Sequence, residues 1–147
     1  MRDFDRSLEE VGKQDAANVG REMVKRGWMP DVVLCSTAAR AQQTWHETGN
    51  CGPKTLMIEE LYSRDAAGYL EIIRQSGVET SLMLVGHNPM IEEVALALAG
   101  KDDPAAEEIR RLGYPTAGLA AIDIEGSFAD MEPGRGRFIG FLTPGSR

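Results

Sequence analysis

The chain predicts an α/β fold: a mostly parallel sheet flanked by helices, with an antiparallel edge formed by its C-terminal strands. Three observations point there. Short apolar runs bounded by glycine, proline or capping residues alternate with amphipathic stretches through most of the chain. Leu82-Met83-Leu84-Val85 runs straight into Gly86-His87-Asn88-Pro89, which reads as a buried strand, a tight turn and a helix start. Beyond Gly118 the pattern changes to two strands with turn signals at Glu125-Gly126 and Pro133-Gly134.

In order, Ser7 to Arg26 is a helix. Leu8, Val11, Val19 and Met23 form its apolar stripe, Ser7 and Glu10 have capping-box spacing, and Gly27 stops it. Asp31 to Cys35 is a short buried strand. Ser36 or Thr37 caps a second helix that runs to about Thr48 and stops at Gly49-Asn50. Thr55 to Ile58 is a weak strand, and Ala66 to Ser76 a helix ended by Gly77. Leu82 to Val85 is the strongest strand. Asn88 caps the next helix, with Pro89 in its first turn, and Gly100 closes it after Ala99. Asp103-Pro104 opens another helix to about Leu112, and Gly118 to Ile124 and Arg137 to Leu142 are the final strands. With no repeat, low-complexity tract or linker, residues 1–147 read as one domain, long enough for a real core.

Composition narrows the function classes. The formal net charge of -7 argues against non-specific binding to nucleic acid or to an anionic membrane. It leaves room for a small anion held by a few local cations. No apolar run reaches membrane-spanning length, and the N-terminus lacks the shape of a signal peptide, so the expected location is the cytoplasm. The two cysteines, Cys35 and Cys51, have neither metal-ligand spacing nor the pattern of a disulfide framework.

Two residues are placed for anion chemistry. His87 follows a strand at its carboxyl end, where open α/β sheets bind ligands, and the N–H groups of the next helix lie beside it. Arg40 falls in the first turns of the helix after the Asp31–Cys35 strand, and its planar guanidinium matches phosphate oxygens in pairs. The plainer alternatives are a core histidine satisfied by its neighbours and a solvated helix arginine. Cys35 and Arg40 are spaced C-x4-R, one residue short of the C-x5-R loop of cysteine-dependent phosphatases, so Cys35 reads as a buried strand-end thiol.

Ser36-Thr37-Ala38-Ala39-Arg40-Ala41-Gln42-Gln43-Thr44, followed downstream by Val85-Gly86-His87-Asn88-Pro89, resembles the histidine phosphatase superfamily, most closely its small SixA-type phosphohistidine phosphatases. The opening Asp3-Phe4-Asp5-Arg6-Ser7-Leu8, the segment Tyr114 to Ala120 and the closing Phe141-Leu142-Thr143-Pro144 resemble the same group, so the likeness spans essentially the whole chain. It implies a doubly wound, phosphoglycerate-mutase-like fold and phosphatase activity through a phosphohistidine intermediate. It also implies catalytic and phosphoryl-binding roles for Arg40 and His87, with the amide of Asn88 as a further phosphate donor. Glu60 is the loose match to the acid that protonates the leaving group in many members. No metal or cofactor is implied, because fixed cations and N–H dipoles neutralise the phosphoryl oxygens. The implied partner is a phosphohistidine protein or a small phosphate ester.

The departure from the family pattern is at the N-terminus. The first strand and its Arg-His-Gly motif, which carries the nucleophile, have no counterpart, and the chain has two histidines, His46 and His87. His46 lies six residues after Arg40, about 240° around the helix from it. Two readings follow: Met1 is an internal methionine of a longer phosphatase, or the domain binds phosphorylated ligands without turnover. Either way the chain as written is expected to be inactive and to lack a central strand. The strands at Val32–Cys35 and Leu82–Val85 are expected to flank the gap, and Arg40 and His87 to converge on one anion-sized pocket at the carboxyl edge of the sheet.

Overall fold

The structure, a computed structural model, describes residues 4, 9–50, 52–100, 102–115 and 117–143. Helix α1 (Glu10–Arg26) buries Ala16, Val19, Gly20 and Met23 along one stripe. It ends where Gly27 takes a left-handed φ of 71° and its N–H reaches the carbonyls of Met23 and Val24. Its N-cap is Glu9, without a side-chain hydrogen bond; the expected cap, Ser7, lies outside the described residues.

Strand β1 (Val32–Ser36) follows, then α2 (Ala39–Glu47), β2 (Lys54–Ile58), the short α3 (Glu60–Ser63), α4 (Ala66–Gln75), β3 (Leu82–Val85), α5 (Met90–Ala99) and α6 (Pro104–Leu112). Strands β4 (Leu119–Ile124) and β5 (Gly136–Leu142) close the series. Asp65 and Asp103 cap α4 and α6, accepting from the N–H groups of Gly68 and Ala105. The sequence pattern missed α3, since four residues are too few to show a helical period.

The parallel sheet has the order β2-β1-β3, and β4 and β5 form a separate antiparallel pair. β1 is central and buried on both faces, which is why it reads as an unbroken apolar run. β2 is one edge, with Leu56 and Met57 exposed. Two apolar layers sandwich the sheets. One joins Val19 and Met23 of α1 to Val33, Cys35 and Val85, and to Leu142 of β5. The other joins Leu34 to Tyr69, Ile73, Val94 and Leu98, with Ile122 and Ile124 of β4 packed against it. Both layers therefore run across both sheets.

One expectation is corrected here. The strands expected to flank a gap are hydrogen-bonded neighbours: β1 and β3 pair in parallel, with Val32 opposite Leu82 and Cys35 opposite Val85. Periodicity shows which segments are strands and is silent on their order. The C-terminal strands form the expected antiparallel pair, as a two-stranded sheet.

Candidate functional site

β1 and β3 end side by side because Cys35 pairs with Val85. The next residues, Ser36 and then Gly86-His87, thus meet at the carboxyl edge of the sheet. His87 Nε2 lies 2.8 Å from Ser36 Oγ, and the Ala38 N–H donates to the same oxygen at 3.2 Å. The N–H of His87 donates to Tyr69 Oη at 3.3 Å, and that hydroxyl donates to the Leu61 carbonyl. The Tyr62 ring meets the imidazole edge-on, with centroids 5.2 Å apart. The imidazole is held on several sides rather than loose in solvent. Position 86 must be glycine for this contact, because a Cβ there would sit 2.7 Å from Tyr69 Oη and 2.8 Å from Cε2 of the same ring.

Arg40 stands half-buried in the first turn of α2, whose leading N–H groups have no partner inside the helix. The Thr37 hydroxyl, buried just before that turn, has no hydrogen-bond partner among the described residues. Arg40, His87 and Asn88 all line one cavity of about 640 Å³. That cavity is much larger than a phosphate and runs back into the fold between β3 and β4.

The expected cap at Asn88 is not formed. α5 begins at Met90 with Pro89 in the N-cap position and no side-chain cap, and the Asn88–Pro89 peptide is cis. The Asn88 side chain instead donates to the Tyr114 carbonyl at 3.2 Å. The Ile91 N–H bonds the His87 carbonyl, so this helix end offers an anion fewer free donors than its sequence implies. Ser36, equally, forms no helix cap; α2 starts after Ala38, and Ser36 holds His87 instead.

The remaining candidates lie elsewhere. Glu60 is exposed at the start of α3 and does not line the cavity. His46 is exposed in the last turn of α2. Cys35 is 1% exposed inside the first apolar layer, and burial pushes its thiol up to about 12, so it stays protonated and poorly nucleophilic. Cys51 lies outside the described residues. Ser36, Tyr62 and Tyr69 were missed by the sequence reading. Nothing local marks them, because their link to His87 spans 18 to 51 residues of chain.

Tyr114 also lines the cavity, its hydroxyl accepting from the Ala120 N–H at 3.1 Å. Burial raises its phenol from 10.0 to about 12; the Ala120 bond opposes the rise and the Glu92 charge adds to it. Below pH 10 folded and unfolded chains both keep this proton, so pH has no leverage through it. Between about 10 and 12 the unfolded phenol ionises while the folded one does not, and stability falls as pH rises. Urea midpoints measured from pH 9 to 11 are expected to drop, with a shallower slope in Tyr114→Phe. Tyr69 is shifted the same way by burial and retains part of the slope.

No family model matches the chain. It is 37% identical over 152 residues to an uncharacterised protein of Mycobacterium tuberculosis, covering 97% of this chain and 91% of that one. Among solved structures, the proposed phosphohistidine phosphatase SixA of Agrobacterium tumefaciens is 36% identical, with a TM-score of 0.83, over 98% of this chain and 87% of the other. The chain belongs to the SixA-like histidine phosphatases. The proposed SixA of the Nakamurella species superposes with a TM-score of 0.86 at 27% identity, over 99% of this chain and 89% of that one. No described helix is long and apolar enough to cross a membrane. Among the described residues, no three His, Cys, Asp or Glu side chains cluster as metal ligands.

Proposed function

We propose that this SixA-like chain binds the phosphoryl group of a phosphohistidine protein through Arg40, His87 and the backbone amide of Asn88, and that the 147-residue chain does so without turnover. The observation that carries the reading is the fixed imidazole of His87, 2.8 Å from Ser36 Oγ, lining the same cavity as Arg40. One such group just past a strand end and another in the first turn of a helix suit an oxyanion whose negative charge is spread over three oxygens. The guanidinium fork engages two of them and the imidazole a third.

Turnover needs a nucleophile in line with the leaving group. The chain has two histidines. His87 is committed to holding oxygens, and His46 is exposed at the far end of α2. The buried Cys35 thiol stays protonated well above neutral pH. Glu60 takes no part, because imidazole is a good leaving group and needs no acid.

The test is incubation with a phosphohistidine peptide and, separately, with p-nitrophenyl phosphate. Saturable binding of the peptide without phosphate release is expected. Weaker binding of the small ester supports a protein substrate, and tighter binding of the ester shifts the assignment to small phosphate esters. Steady phosphate release abolished by His46→Ala or Cys35→Ser would overturn this division of roles.

A further inference from the structure

We propose that the free edge of β2 is a self-pairing surface, on which a second copy of this chain docks its own β2 antiparallel, across a two-fold axis at Leu56. Among the described residues β2 pairs only with β1. Both of its faces are open as well. Leu56 lies opposite Leu34 and Met57 opposite Cys35, so each shares a face with one of the two apolar layers. Neither joins its layer; Leu56 is 37% exposed and Met57 46%. The layers stop short of β2, and whatever covers it must continue the sheet and shield both faces at once. By contrast, β5 is blunted against such pairing. Ala121 pairs with Gly140 and Ile122 with Phe138, which leaves Ile139 bulged, and Arg137 stands exposed on the same strand.

The backbone fixes the register. The Lys54 N–H donates to the Asp31 carbonyl, so Lys54, Leu56 and Ile58 turn their N–H and C=O groups toward β1. Thr55 and Met57 turn theirs to the free edge. Pro53 has no N–H to offer, and Glu59 is already helical at φ -60° and ψ -37°, so Thr55 and Met57 carry the edge. A partner centred on Leu56 sets Thr55 of each copy opposite Met57 of the other, and each such pair exchanges two N–H···O bonds. Leu56 meets Leu56 of the second copy as the closer, non-hydrogen-bonded pair on one face, while Thr55 and Met57 cover the other. A shift toward Pro53 loses donors, and a shift toward Glu59 runs into the helix. The charges agree with this register. Lys54 falls opposite Ile58 of the second copy, next to its Glu59 and Glu60, and all three charged residues are exposed. One occupant thus supplies the edge, both faces and the opposite charge by symmetry alone. The contact is short, so the dimer is weak and reversible rather than obligate.

The test is sedimentation equilibrium on the full chain across a concentration series, with amide exchange measured alongside. Reversible monomer–dimer exchange is expected, and the Thr55 and Met57 amides should exchange more slowly as concentration rises. Thr55→Pro removes an outward donor and leaves the ladder to β1 intact, so it is expected to weaken dimerisation at least tenfold. Lys54→Glu turns two attractive contacts into two repulsive ones and is expected to weaken it severalfold. Adding Glu59→Lys and Glu60→Lys to Lys54→Glu should restore the dimer, which a misfolded variant could not do. A chain that stays monomeric at every concentration overturns the proposal. So does a dimer that neither Thr55→Pro nor Lys54→Glu weakens. Arg40→Ala lies outside the contact and is expected to dimerise unchanged, so a failed edge and a failed phosphoryl site are read separately.

Discussion

Arg40→Ala is expected to weaken binding of inorganic phosphate and of vanadate by about 10- to 100-fold. A hydrogen bond to a charged group contributes about 1.5–3 kcal/mol, and each 1.4 kcal/mol is roughly a factor of ten in affinity. Arg40 is half-buried in the first turn of α2, and the Thr44 hydroxyl bonds its carbonyl, which alanine retains. Arg40→Lys keeps the charge and loses the planar fork, so its affinity should fall between the two. Isothermal titration reads all three proteins, and an unchanged affinity in Arg40→Ala would remove Arg40 from the site.

The second large effect is on stability. Gly20 lies where α1 crosses the end of α2, and a Cβ there would sit 2.1 Å from the Thr48 carbonyl oxygen and 2.7 Å from its carbon. Those atoms belong to the backbone and cannot rotate aside. Alanine improves helix propensity over glycine by up to about 1 kcal/mol, which alone would stabilise α1. Forcing the helices apart loosens Val19 and Met23 against Ala41 and Trp45, and overpacking of this kind costs about 1–3 kcal/mol or more. The clash should win. Gly20→Ala is expected to lower Tm by up to roughly 8 °C in a chain of this size. A raised Tm would mean that the two helices are free to separate.

How much of this was legible in the sequence differs by level. Local elements read well where a terminator stands beside a strong period, as with Gly27 after α1 or Asp103-Pro104 before α6. The strand running into Gly86-His87 placed the histidine at the sheet's carboxyl edge, as found. Asn88 was misread as a cap because its side chain has a competing partner, the Tyr114 carbonyl, 26 residues away. Gly86 read as a turn residue, and its tighter constraint is the Tyr69 ring packed against it. Strand order was not legible. The two strands expected to flank a gap, β1 and β3, pair directly, because pairing partners in a parallel sheet are set by crossovers that leave no local pattern. The chemistry-bearing residues were legible as types at strand ends; their supports, Ser36 and Tyr69, were visible only once the chain was folded.

The most direct measurement of the central claim is a titration of the unmodified chain with inorganic phosphate, followed through the ¹⁵N-coupled signals of the Arg40 side chain, the His87 imidazole and the Asn88 amide. One phosphoryl site built from Arg40 and His87 predicts that all three move together along a single saturation curve, while the imidazole of His46, exposed at the other end of α2, stays still. Separate curves for Arg40 and His87, or saturation that leaves both unmoved, would contradict it.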